Sequence, residues 1–155
     1  METQEQSKQE VEFTELSWVD VLILFDMIFQ IVWASGLYPK PTQVSRMMYD
    51  ALVGKLVFWL IFRREDGVIV PFGLLATQMY YMPYTGKRIC SLVHGNKVGD
   101  IDIDDTHWQK AYKKIIKYAK KNGCQRFEVF SDNDRVRDIL TAFGFKPSGL
   151  YVKEL

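Results

Sequence analysis

The chain has 155 residues, 48% hydrophobic and 25% charged, with a net charge of +1. That length fits one domain able to bury a core without metals or disulfides, and near-neutrality excludes a mainly electrostatic nucleic-acid binder. Two histidines, His94 and His107, are too few for a His-built metal site, and Cys90 and Cys124 lack CxxC spacing and read as reduced thiols.

Residues 1–10, METQEQSKQE, have no apolar residue after Met1 and read as a flexible arm ahead of a single domain over 11–155. Their polarity provides no secretory signal, so the expectation is a chain that is not secreted. Residues 11–16 alternate apolar and polar, as a strand does. Ser17 is placed to cap a helix running to Ser35, with Gly36 as its stop. Residues 18–34 could be mistaken for a membrane span, but Asp20, Asp26 and Gln30 interrupt them, so a buried helix is expected. This helix is apolar around most of its circumference and needs cover on more than one side. Phe25, Phe29 and Trp33 are therefore candidate residues for contact with another protein chain.

Thr42 is expected to cap a second helix through Leu52, with Val44, Met47, Met48 and Ala51 on one face. Residues 56–62 form a continuous apolar run suited to a central strand. Residues 63–67, RREDG, read as a hairpin turn. A strand follows over 68–82, bent or bulged near Pro71-Phe72-Gly73, then a turn at 84–87 and a strand over 88–94. An amphipathic helix is expected over 106–122, with Trp108, Ala111, Tyr112, Ile115, Ile116 and Ala119 on one stripe. Six lysines on its other face read as solvated. A strand at 126–130, a helix capped by Asn133 or Asp134 and closed by Gly144, and a strand at 151–153 complete an α+β order.

The last part of the chain carries a spacing of its own. Asn133 is followed three residues on by Val136, seven on by Leu140, and eleven and twelve on by Gly144 and Phe145. Together with the element order, this resembles the GNAT acyltransferase superfamily, which often places Asn, a small residue, Tyr and Gly-Phe at those offsets. The resemblance implies a GNAT-like mixed central sheet of about six to seven strands flanked by four helices. It also implies transfer of an acyl group from acyl-CoA to an amine. The family seats the CoA diphosphate on backbone amides at a helix start, in a Gln/Arg-x-x-Gly-x-Gly/Ala turn, where free N–H groups and the positive helix end attract phosphate.

This chain departs from that pattern. Before the corresponding helix stand Asp100, Asp102, Asp104 and Asp105, which cap the helix themselves and repel a diphosphate. Leu140 occupies the family's acidic Tyr position and cannot donate a proton, and Tyr151 is an alternative only by position. Residues 56–62 and 88–93 hold no carboxylate to act as base. The alternating aspartates do not match a calcium loop, which needs Gly at its sixth and Glu at its twelfth position.

The resulting expectation is a GNAT-fold protein without acyl transfer and without a cofactor, acting as a structural or interaction module with other protein chains. It resembles degenerate acetyltransferase-like proteins of tailed bacteriophages, which implies phage structural proteins as partners and a cytoplasmic or virion location. The alternative is a divergent acyltransferase that binds acetyl-CoA through the Lys97, Val98 and Gly99 amides and uses His94 as base.

Overall fold

The computed structural model describes residues 10–99, 103–131, 134–147 and 153. Five strands run in spatial order β1-β2-β3-β4-β5. They are β1 (Glu12–Glu15), β2 (Val57–Glu65), β3 (Val68–Tyr81), β4 (Arg88–Lys97) and β5 (Arg126–Val129). The first four pair antiparallel, and β5 pairs parallel with β4. The sheet is therefore mixed, as expected, with five strands among the described residues in place of six to seven. The strand expected at 151–153 lies almost wholly outside them.

Helices α1 (Trp18–Ile23), α2 (Phe25–Ala34), α3 (Pro41–Leu52), α4 (Asp105–Lys121) and α5 (Asp134–Ala142) flank the sheet. The single first helix expected from Ser17 to Ser35 is two helices, which gives five helices among the described residues in place of the expected four. Leu24 leaves helical dihedrals, at φ −100° and ψ 18°, and its N–H closes α1 on the Asp20 carbonyl at 2.9 Å. The break lets α1 bury Val21 and α2 bury Ile28, Ile31 and Val32. The Ser17 cap forms as expected, its hydroxyl accepting from the Asp20 N–H while the Asp20 carboxylate accepts from the Ser17 N–H. Helix α3 begins at Pro41, one residue before the expected Thr42 cap. The fixed φ of proline suits the first helical turn, and Gln43 reaches back to the Lys40 N–H. No described helix is long and apolar enough to cross a membrane.

Strand β2 decides how the layers pack. Its side chains alternate faces: Phe58, Leu60 and Phe62 join the core under α1–α3, and Trp59 and Ile61 join the core under α4. Both faces are covered, which explains why its sequence is a continuous apolar run. Asp66 and Gly67, with φ of 50° and 77°, make the two-residue turn into β3. The strands therefore extend further into the RREDG segment than expected.

Two irregularities follow. Ile61 pairs with Gly73 and Phe62 with Pro71, which leaves Phe72 as an extra residue in the expected Pro71–Gly73 region. Ala76 pairs with His94 and Thr77 with Leu92, which leaves Val93 as the extra residue on β4. The second bulge matters for the site.

Helix α4 starts one residue earlier than expected. Asp104 is its N-cap, its carboxylate accepting from the His107 N–H at 3.0 Å. An Asp104→Ala variant should lose about 1 kcal/mol of stability, measured by urea unfolding, because the His107 N–H then keeps only the Asp104 carbonyl, at 3.1 Å, and the capping carboxylate is gone. On α4's outer face, Lys114 donates to the Phe13 carbonyl of edge strand β1 at 2.6 Å. Gly144 (φ 87°) closes the turn after α5, and the Phe145 N–H returns to the Leu140 carbonyl at 3.0 Å. That turn sets Phe145 against Tyr112 and Phe127, while Phe143 stacks on Tyr112 at 5.1 Å. The Gly-Phe pair thus ties α5 to both α4 and β5.

Candidate functional site

The sheet opens where β4 and β5 part. Their parallel ladder runs from Ile89↔Arg126 to Leu92↔Val129 and stops. Val93, the bulged residue, comes next, and β4 then continues to Lys97 alongside β3 alone. A bulge turns a strand and interrupts its ladder, so the position of Val93 accounts for the separation. The gap is a cleft of about 750 Å³. Residues 92–97 of β4 form one wall, and residues 129–131 form the other. Trp108 and Tyr112 of α4 and Ile139 and Leu140 of α5 complete it.

His94 lines this cleft and is only 4% exposed. Both of its ring nitrogens are engaged. Nε2 lies 2.7 Å from the Asn96 Oδ1, and Nδ1 lies 2.8 Å from the Tyr38 hydroxyl. The Asn96 amide nitrogen donates to the Ile31 carbonyl at 3.0 Å, which turns its oxygen toward the imidazole. That orientation assigns the proton to Nε2 and makes Nδ1 the acceptor from Tyr38. Burial lowers the His94 pKa below its ordinary 6.5, with the Asn96 hydrogen bond opposing the shift. Burial also raises the Tyr38 pKa. The array is a neutral, fully hydrogen-bonded histidine on the wall of a cleft.

The other sequence-derived residues fall as follows. The Val98 N–H donates to the Phe72 carbonyl at 2.8 Å, so the sheet uses it. Lys97 ends β4, and Gly99 follows in a left-handed conformation at φ 61°. Asp100 and Asp102 lie outside the described residues, as do Asn133 and Tyr151. Asp104 and Asp105 stand at the α4 start, where Asp104 also approaches the His107 imidazole at 3.1 Å. Leu140 faces the cleft with a hydrocarbon side chain. Glu128, the one carboxylate on β5, accepts from the Tyr80 hydroxyl at 2.5 Å and pairs with Arg126 at 3.5 Å.

Phe25 and Phe29 are half-buried against the core and lie 6.5 Å apart, whereas Trp33 is 38% exposed. The more open apolar surface is on α1, where Trp18 is 60% and Ile23 75% exposed and Val19 and Leu22 are also open. No group of three or more His, Cys, Asp or Glu residues able to hold a metal occurs among the described residues. Cys90 is buried, and its thiol pKa is pushed up to about 12, mainly by burial. It is an inert core thiol, not a nucleophile.

Sequence reasoning named His94 but not its partners. Asn96 was findable, because positions i and i+2 of a strand share a face. Tyr38 was not, because only the tertiary fold brings its loop to β4 across 56 residues of sequence.

No family model and no curated protein matches the chain. Solved structures do. A predicted acetyltransferase from Clostridium acetobutylicum, with acetyl-CoA, is 14% identical, with TM-score 0.69 over 94% of this chain and 96% of the other. AAC(6')-Iy, in complex with a bisubstrate analogue of CoA and acetylneamine, is 10% identical, with TM-score 0.70 over 94% and 97%. A ribosomal-protein-alanine N-acetyltransferase from Brucella melitensis is 13% identical, with TM-score 0.62 over 93% and 99%. At these identities the likeness establishes the fold, which is that of the acetyltransferases.

Proposed function

We propose that this chain uses the acetyltransferase fold as a structural or interaction module and does not transfer acyl groups from acetyl-CoA. The carrying observation is the start of α4, where the Asp104 carboxylate occupies the His107 N–H and Asp105 adds a second negative charge. A CoA diphosphate brought there would meet like charges at short range and a donor already in use. The Val98 N–H is likewise spent in the sheet, and Leu140 has no proton to give. Fold alone does not carry activity.

The partners in this reading are other protein chains, contacted through the apolar residues of the first two helices, including Trp18, Ile23 and Trp33. The resemblance to tailed-phage proteins supports phage structural proteins as those partners, in the cytoplasm or in a virion. A second reading, divergent acyl transfer with acetyl-CoA, is favoured by one observation: the Tyr38–His94–Asn96 array opens on the cleft, where a proton could be exchanged. The two are separated by melting the protein with acetyl-CoA. The module reading expects no change in Tm. A rise at micromolar ligand would reverse the order of the two readings, since a ligand at a hundred times its Kd stabilises by about 2.7 kcal/mol.

A further inference from the structure

We infer that the lysine face of α4 docks an acidic amphipathic helix of a partner protein. This adds a surface that the module reading does not use, and it stands whether or not acetyl-CoA binds.

Lys110, Lys113, Lys114, Lys117, Lys120 and Lys121 are all exposed on α4. At about 100° per residue they fall within roughly 120° of its circumference, in rows one turn apart over about 16 Å of axis. Ala111, Ile115 and Ala119 are buried on the opposite side.

An ordinary solvated face mixes both signs of charge. This one does not, since residues 106–127 contain no Asp or Glu. Lys113 stands four residues from Lys117, and Lys117 four from Lys121. Lys110 stands three from Lys113, and Lys117 three from Lys120. Like charges at those spacings destabilise a helix. Among the described residues, no acid forms an ion pair with any of the six. Glu12, on the neighbouring edge strand, pairs with Arg64 at 3.3 Å, and Lys114 turns to the Phe13 carbonyl. The negative helix end favours only Lys120 and Lys121, because its field fades within the last turn. The repulsion is therefore unrelieved within the chain, and carboxylates on a partner would relieve it.

The kind of partner follows from the spacing and from what the face lacks. Rows one turn apart match carboxylates at i, i+3, i+4 and i+7 of a second helix laid alongside. No large apolar side chain of α4 is exposed to enter a bilayer. No arginine stands on α4 to grip phosphates in a bidentate fork.

The test measures binding of two synthetic peptides to the full-length chain by fluorescence anisotropy. One is a helix with glutamates at i, i+3, i+4 and i+7. The other is its isomer, with the same composition spread around the circumference. The striped peptide should bind at least about tenfold more tightly than the isomer, and added salt should weaken it. The double variant Lys113→Gln, Lys117→Gln should bind it at least about tenfold more weakly than the parent chain. Backbone amide signals of α4 should shift on binding. Lys117→Gln alone should raise the Tm of the free chain at low salt, because Lys and Gln have similar helix propensity and the change removes repulsion.

Absence of binding, equal binding of the two peptides, or binding indifferent to the double variant would each overturn the inference. So would tighter binding to duplex DNA or to vesicles of anionic lipid than to the striped peptide, or a Tm that Lys117→Gln fails to raise. None of these outcomes bears on acetyl-CoA, whose effect on Tm tests the module reading separately.

Discussion

A Phe58→Ala variant is expected to lose about 3–5 kcal/mol of folding stability, seen as a lower urea midpoint with little change in slope. Phe58 has no exposed surface, and it sits in the core that α1, α2 and α3 share with the sheet. Removing its ring forfeits the burial and leaves a cavity that three helices and a central strand cannot all close upon. Against a total of about 5–15 kcal/mol for an ordinary domain, that loss is a large fraction. Tyr84→Ala is the control. Tyr84 is fully exposed in a turn, and its replacement should stay within about 0.5 kcal/mol, because both residues carry a Cβ and bear the same left-handed φ of 68°. A loss at Phe58 no greater than at Tyr84 would mean that the helical layer does not pack on β2 as described.

The second large effect is a dependence on acidity. His94 is buried and neutral, with a folded-state pKa below the 6.5 of an exposed histidine. Between those two values the unfolded chain binds a proton that the folded chain refuses. Stability therefore rises with pH across that window, by up to about 1.4 kcal/mol per pH unit, and is complete above pH 6.5. On acidification from neutral pH, the parent protein should lose stability at a slope that a His94→Gln variant lacks. The groups facing the ring are the Tyr38 hydroxyl and the Asn96 amide, neither of which titrates in this range. Unfolding curves at pH 5 and pH 7.5 for both proteins provide the measurement. Parallel pH profiles would show that the imidazole is accessible to protons in the folded state.

Sequence periodicity identified most of the elements because most of them bury a single stripe or a continuous run. The α4 stripe and the β2 run are clear cases, and their boundaries shifted by only a residue or a few. What periodicity missed has a common physical origin in tertiary contact. The break at Leu24 lies within an unbroken apolar stretch, with neither glycine nor proline to mark it. It exists because two short helices cover the sheet where one long helix would have left a face unused. The bulge at Val93 is equally silent in the sequence. It appears only when the β3 register is compared on both sides of Thr77. The candidate site was legible in its negative features, the aspartates and Leu140, because charge and missing functional groups need no coordinates. Its positive feature, the hydrogen-bonded His94, required the approach of Tyr38 from the loop before α3.

The parallel pairing of β4 with β5 also has a consequence for how the domain assembles. Strands β2, β3 and β4 are joined by short turns, so their contacts close small loops and can form early. Strand β5 reaches β4 only after the chain has passed through α4, and it is held there by four residue pairs. The aromatic cluster of Tyr112, Phe127, Phe143 and Phe145 then fastens α5 in place. The domain is thus an antiparallel meander to which β5 and α5 are added late, and hydrogen exchange is expected to be faster in β5 and α5 than in β2 and β3. The cleft lies along that seam, between the part of the sheet closed by local turns and the strand that joins it last.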